Sequence, residues 1–599
     1  MAANTTTIDV TDVAWDLEPL LPAPGEPGVD QLLDEVDAIT ADLEGYRGRV
    51  AGLDTTELAS LLDRLAELND KVGRAGNYAS LRFAVDTADP AIAALMQRVQ
   101  ERLTQVATKL LFFDLEWAEV DDAAADALLA SPELDQSRHY LRSLRRYRDH
   151  LLSEPEEVVL TEKTVTGSGA WSRLFSEQTS VITVEMGGEE LSLELGLSRL
   201  QSADPEVRRT AAAAVTEALA PGLRTRGYIF NTLLADKSID DRLRKYPSWV
   251  SSRNLSNEAS DESVAALVEA VVGRYSIPQR WYEAKAKMLG VDAIDDWDRY
   301  ASVADDTTEF DWDDARGIVL DSYRSFSPDM AGVVEQFFDE AWIDAPLRPA
   351  KRGGAFCAYT VPSHHPYLLL NWTSTRRDVL TLAHELGHGI HAYLSRPQGI
   401  FHQTTPLTLA ETASVFGETL TFGRLVAQAS DPNDRLPLLA EHLEDQIATV
   451  FRQIAMWRFE DGVHTSRREE GELSADRFGD IWNETQAEML GKSVRLSDGY
   501  RSWWSYIPHF IHTPGYVYAY AYGQLLALSV YARYEDQGPD FVPSYLELLS
   551  AGGSMPPEEL GKLVGVDLAD PGFWDAGLDI IERQLTETLD TAKAAGRLT

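Results

Sequence analysis

The chain has little cysteine: Cys357 is alone in 599 residues. No internal disulfide can form, which suits a reducing compartment such as the cytoplasm. Nothing beside Cys357 looks like the surroundings of a thiol nucleophile, so it reads as a small strand residue. Basic residues are scarce beside acidic ones, with Lys+Arg at 54, Asp+Glu at 96 and a formal charge of −42. That balance disfavours nucleic acid and anionic membranes as partners. The excess is spread along the chain, so it reads as a solvated acidic surface suited to solubility or high salt, with no bearing on substrate charge. Long hydrophobic runs are missing too. Met1 to Leu20 carries acids and no apolar run, so neither a signal peptide nor a membrane span is expected. No repeat and no low-complexity tract is present.

Ten of the twelve histidines lie between His364 and His512. Within that stretch, Thr381-Leu382-Ala383-His384-Glu385-Leu386-Gly387-His388 places two histidines four apart, with a glutamate after the first. On an α-helix that spacing stacks both imidazoles on one face. They can bind one Zn²⁺ from the same side, with Glu385 beside the metal's open position as a base. The flanks support a helix. Thr375 suits the cap, Asp378 stands in the capping-box position, and Pro397 stops the run after Leu394.

Zinc sites want at least three protein ligands. His391 is nearby but lies about 10 Å along the axis from His384 at the usual helical rise, too far to share one ion. A third histidine after a glycine turn is also ruled out, because the chain has His391 and Leu394 at those places. A carboxylate from a second helix is the better solution. Thr405 suits a cap and Pro406 a first helical position, and the run to Glu418 is otherwise largely apolar. Glu411 and Glu418 are seven apart and share a face. A carboxylate in such a stretch is costly unless paired or bound to metal. Glu411 is therefore read as the third ligand, and Glu418 as the group behind it that orients a ligand histidine.

A second dense segment runs from Pro508 to Gly523 and contains His509, His512, Tyr516, Tyr518, Tyr520 and Tyr522. The alternating tyrosines look at first like a strand. Elsewhere the patterning is mainly helical. Leu32, Val36, Ile39 and Leu43 share one face, as do Leu578, Ile581, Leu585 and Leu589. Two β signals stand out. One is Val181–Val184, a Gly187-Gly188 turn, and Leu191–Leu195; the other is Phe356–Val361 with Tyr367–Trp372.

The motifs His384-Glu385-Leu386-Gly387-His388 and Glu411-Thr412-Ala413-Ser414 with Glu418 resemble those of the thimet-oligopeptidase group of zinc peptidases, within it oligoendopeptidase F. Further similar stretches are Trp15-Asp16-Leu17, Lys351-Arg352-Gly353-Gly354-Ala355-Phe356, His365-Pro366-Tyr367, Asn371-Trp372, Leu548 to Ser554 and Pro571-Gly572-Phe573-Trp574. The resemblance implies a mainly α fold: an N-terminal helical region (1–110), a region with a β-hairpin (111–203), and a large helical zinc-peptidase domain (204–599) with a small sheet by the active-site cleft.

The same resemblance implies that the tyrosine segment is a loop running into a helix. His509 and Tyr516 then match donors to the oxyanion, a role suited to preorganised neutral groups. His512, Tyr518 and Tyr520 match substrate or hinge contacts, and Gly353-Gly354-Ala355-Phe356 a substrate-pairing strand. The chain has Ile511 and Gly515 where the group usually carries aromatics, so the donors stay to be assigned among His509, His512 and the tyrosines. The expected function is a zinc endopeptidase acting on oligopeptides, with one Zn²⁺ per chain. A carboxypeptidase or dipeptidase on the same metal site is the nearest alternative, and a catalytically inactive peptide-binding protein a more distant one.

Overall fold

The computed structural model describes residues 9–304 and 308–598; residues 1–8, part of the Met1 to Leu20 stretch read as lacking a leader, lie outside them. The described residues are mainly helical with three small sheets among them. In chain order, α1 is Glu26–Leu43, α2 Thr55–Val85 and α3 Pro90–Glu119. The hairpin β1 Thr183–Met186 and β2 Glu189–Ser192 follows, then α4 Leu223–Leu243 and α5 Trp312–Phe326. The strands β3 Ile343–Pro346, β4 Phe356–Ala358 and β5 Tyr367–Trp372 lead into α6 Arg376–Ser395 and α7 Leu407–Gln428. Last come α8 Gln453–Glu470, α9 His509–His512, α10 Tyr518–Gln537 and α11 Pro571–Ala594. None of the helices among the described residues is long and apolar enough to cross a membrane.

Two compact units are each assembled from three segments. The first comprises Met1–Arg148, Thr308–Leu425 and Arg533–Asp567. Its α1–α3 bundle closes on the stripe expected from the sequence: Leu32, Val36, Ile39 and Leu43 are all buried. Val36, Ile39 and Leu43 share a cluster with Leu58, Leu61 and Leu65 of α2 and Phe112, Phe113 and Trp117 of α3, and the Trp117 indole donates to the Leu141 carbonyl at 2.8 Å. Helix α2 starts at an Asp54–Glu57 capping box.

The three-stranded sheet belongs to this first unit. Its order is β3-β5-β4, with β3 parallel and β4 antiparallel to the central β5. β4 is thus an edge strand. The motif ahead of it is held from below. The Lys351 ammonium is buried, paired with Asp344, and donates to the carbonyls of Pro346 at 2.8 Å and Leu370 at 2.6 Å. Asn371 donates to the carbonyls of Arg352 and Gly354. Trp15 packs edge-on against Tyr367, whose hydroxyl donates to the Asp16 carbonyl at 2.7 Å. His365 stacks on Trp342 at 4.0 Å.

The second unit comprises Asp149–Thr307, Val426–Ala532 and Leu568–Thr599. Its core is aromatic: Phe230 of α4 stacks on Phe478 at 5.1 Å, and Phe459 of α8 meets Phe510 at 5.0 Å. Leu578, Ile581 and Leu585 of α11 are buried as their spacing predicts.

Several local expectations shift: the Phe356–Val361 strand ends at Ala358, and α7 begins at Leu407, past Thr405 and Pro406. The hairpin begins at Thr183 instead of Val181, because Val181 caps the preceding helix. Leu193–Leu195 are helical, since Ser192 accepts from the Leu195 amide and starts a short helix there. In Gly353-Gly354-Ala355-Phe356 only Phe356 is in the strand; the others form a bend in which Gly354 has φ +81°.

Candidate metal centre and active site

Helix α6 begins as its sequence predicts. Thr375 accepts from the Asp378 amide, and Asp378 Oδ2 accepts from both the amide and the hydroxyl of Thr375 at 2.9 Å. This box fixes the helix register, so His384 and His388 lie on one face with ring centroids 5.0 Å apart. Their Nε2 atoms lie 3.3 and 3.5 Å from one oxygen, Glu411 Oε2 on α7. Donor atoms of His384, His388 and Glu411 all fall within 4.8 Å of one another. Glu411 Oε2 also accepts from the Ser414 hydroxyl at 2.7 Å. His384 Nδ1 lies 3.0 Å from Glu418 Oε2, so the Nδ1–H donates to that carboxylate and Nε2 faces Glu411.

His391 stands apart. It is buried, its Nδ1 has no partner, and burial pushes its pKa down to about 3. It takes no part in the cluster, which agrees with the distance argument from sequence.

Glu385 is 7% exposed and its Oε2 has no hydrogen-bond partner. Burial raises its carboxyl above the usual glutamate range against the pull of His384 and His388. Such an orphaned buried oxygen beside two imidazoles and a carboxylate is the donor environment of a zinc ion with an acid–base group next to it. The residues fit that cation.

The two helices are brought together by contacts with no sequence signature. A Cβ on Gly387 would lie 2.4 Å from the Ala413 carbonyl oxygen and 2.6 Å from the Ser414 Cα, so only glycine lets α6 lie against α7 here. Tyr323 of α5 donates to the Ala383 carbonyl at 2.7 Å, and its hydroxyl fills the space beside Gly417. Tyr545 donates to the Thr412 carbonyl at 3.2 Å and stacks on Phe416 at 4.4 Å. Sequence reasoning missed Tyr323 and Tyr545, which lie far from α7 along the chain.

In the second unit, the tyrosine segment is a short helix, a turn, and the start of α10, not a strand. His509, Tyr516 and Tyr520 come together: His509 Nε2 lies 3.1 Å from the Tyr520 hydroxyl, and Tyr516 meets Tyr520 edge-on at 5.1 Å. The His509 and Tyr516 rings lie nearly parallel, 6.2 Å apart. Burial lowers the His509 pKa, with His512 adding to the effect, so its neutral form is favoured. His512 is exposed and pairs with the Ser176 hydroxyl at 3.1 Å.

Tyr518 corrects the expectation of a substrate contact. It is fully buried, and its hydroxyl accepts from Asn257 at 2.9 Å inside the core. Tyr522 is buried likewise, beside Ser263 and against Trp574. Glu460 was not singled out from the sequence. It is buried on α8 and accepts from the Gly515 amide at 2.9 Å, one residue before Tyr516.

Residues 323–580 match the model of peptidase family M3, and residues 116–183 match that of oligopeptidase F. The chain belongs to peptidase family M3. This M3 peptidase is 26% identical over 586 residues to oligopeptidase PepF of Bacillus subtilis, covering 96% of this chain and 86% of that one. It is 25% identical over 595 residues to group B oligopeptidase PepB of Streptococcus agalactiae, with 97% and 95% covered. Among solved structures, a Chlamydophila abortus protein superposes with a TM-score of 0.87 at 23% identity, covering 98% of this chain and 99% of that one. Oligoendopeptidase-F from Enterococcus faecium does so at 0.71 and 21%, covering 94% and 98%. The mainly helical M3 fold is therefore shared at low identity, and the enzyme is a metallopeptidase by family.

Proposed function

We propose that this M3 peptidase is a zinc-dependent endopeptidase that hydrolyses internal bonds of oligopeptides. The observation that carries the reading is the His384–His388–Glu411 cluster with the orphaned Glu385 oxygen beside it. His384 and His388 would hold one Zn²⁺ through Nε2, and Glu411 through its carboxylate. The cation would supply Lewis acidity toward a water and the scissile carbonyl. Glu385 accepts the proton of the attacking water and delivers it to the leaving amine; its raised pKa suits both directions of transfer. Glu418 fixes the His384 tautomer. His509 and Tyr516 donate to the oxyanion, with Tyr520 orienting His509. The open edge of β4, approached through Gly353, Gly354 and Ala355, pairs with an extended peptide. His512 and Tyr520 are the remaining polar groups of the segment assigned to substrate, and Tyr518 supports the helix from within. The names of the curated relatives, both oligopeptidases, support oligopeptides as the substrate class, and a single cysteine suits the cytoplasm.

Metal analysis and cleavage of an end-blocked peptide with an internal fluorophore pair test this together. About one zinc per chain, lost with activity on chelation, is expected. Activity that persists in the metal-free protein overturns the metal assignment, and an end-blocked peptide left whole while free-ended peptides are cut overturns the endopeptidase assignment.

A further inference from the structure

Arg377 is the second residue of α6, and seven positions separate it from His384. At the helical period, Arg377, Thr381, His384 and His388 fall in one stripe. They are also the less buried residues of this helix, while Val379, Leu382, Ala383 and Leu386 face the core. Arg377, Asp378 and Thr381 line a cavity of about 380 Å³ with Gly354, Ala355, Leu370, Asn371 and Trp372. The cavity therefore joins two features of the candidate site: the face of the metal-ligand helix and the segment leading into the open edge strand.

Arg377 and Asp378 are the charged residues of this lining, and only Asp378 has its partners within the chain's described residues. Arg377 makes no ion pair and no side-chain hydrogen bond among the described residues, although Asp378 is its neighbour. Asp378 Oδ2 is taken up by the amides and hydroxyls of Thr373 and Thr375 at the helix start. Arg352, on the other side of the bend, lies over the Phe356 ring at 5.3 Å and likewise pairs with no carboxylate among the described residues. A guanidinium left free in a concave, partly apolar setting is a ready partner for a planar carboxylate.

Resting on the endopeptidase reading above, we propose that this cavity is a specificity subsite in which Arg377 binds a carboxylate of the peptide substrate. The carboxylate belongs either to an acidic side chain or to the peptide's own C-terminus. Seven residues of helix place Arg377 about 10 Å from His384 along the axis. An extended peptide covers that span in about three residues. The recognised carboxylate therefore stands about three residues from the bond cut. An acidic side chain there gives an endopeptidase with an acidic preference. A C-terminal carboxylate there makes the same enzyme release short peptides from chain ends.

The experiment uses internally quenched peptides of one sequence. Glu is moved through each position within four residues of the scissile bond and compared with Gln at the same place. A parallel pair ends in a free acid or a carboxamide at each length. The readout is the kcat/KM ratio of the charged to the neutral member. In the wild-type enzyme this ratio rises to about tenfold at one position, through KM, as for a charge-assisted contact in a solvent-open site. In Arg377→Ala the ratio falls towards one, and in Arg377→Glu a Lys-bearing peptide becomes the preferred member. Which pair responds, the side chain or the terminus, identifies the source of the carboxylate. A wild-type ratio near one at every position overturns the proposal. So does an Arg377→Glu enzyme that keeps the wild-type preference, or an Arg377→Ala enzyme that loses all peptides equally. Failure of the wild type to cut any end-blocked peptide, charged or neutral, would instead count against the endopeptidase reading itself.

Discussion

Glu460 Oε1 accepts a hydrogen bond from the Gly515 amide at 2.9 Å, which ties α8 to the turn that delivers Tyr516. The turn is tight. Gly515 has φ +71°, which favours glycine, and a Cβ there would press on Trp249 and Val250 at 3.3 Å. Arg253 donates to the Pro514 carbonyl at 3.2 Å and completes the hold.

This carboxyl makes stability pH-dependent. Burial raises Glu460 to about 8, against the opposing Gly515 bond and the nearby Arg253, from an ordinary 4.5. Between those values the folded protein binds more proton than the unfolded chain, so the contribution is whole below 4.5 and is lost as pH rises through about 8. Glu460→Gln keeps the acceptor and removes the titration. Urea midpoints from pH 5 to 9 should fall more steeply for wild type than for the variant. Parallel curves would rule out Glu460 as the source.

Glu385→Gln should leave zinc content unchanged and lower kcat at least about a hundredfold, since the base is lost while the cluster of donors is untouched. Zinc lost along with turnover would make Glu385 a ligand.

Glu411→Ala and Glu418→Ala should separate by metal affinity. Removing Glu411 deletes a donor. Removing Glu418 only frees the His384 ring, a change that typically costs ten- to a hundredfold. Competition with a chelator measures both. Equal zinc retention by Glu411→Ala and wild type would send the third ligand elsewhere.

Tyr516→Phe should lower kcat about a hundred- to a thousandfold with KM, zinc and melting temperature close to wild type. Tyr518→Phe and Tyr522→Phe serve as contrasts, because their hydroxyls sit in the core beside Asn257 and Ser263. Those two should lose about 1 kcal/mol of stability with little change in rate. If Tyr520→Phe, which frees His509, is the variant that loses kcat while Tyr516→Phe stays active, the donor is Tyr520 or His509.

Gly387→Ala should destabilise the fold and weaken zinc together, since a methyl group drives α6 away from the Ala413 carbonyl. Overpacking of this kind costs about 1–3 kcal/mol. A variant of wild-type stability and affinity would show that the helices can separate without disturbing the donors.

Much of this was legible because its causes are local. The Thr375–Asp378 box, the spacing of His384 and His388, and a carboxylate at 411 in an apolar helix each state their geometry within one or two turns of chain. The tyrosine segment was less legible, because its period of two mimics a strand. Pro514 and Gly515 break that pattern, and Tyr518 and Tyr522 turn into the core while Tyr516 and Tyr520 stay with His509. Ser192 shows the reverse case, a helix cap that overrides a strand-like run at Leu193–Leu195. Tyr323 and Glu460 act on partners 60 and 55 residues away, and no local pattern marks such a pair.

The contact of Gly387 with Ala413 and Ser414 is made by main chain on both sides. The spacing of α6 and α7 at this point is thus gauged by backbone thickness, and the Tyr323 and Tyr545 hydroxyls brace it. A cation taken up by His384, His388 and Glu411 would find its donors on two helices already set side by side.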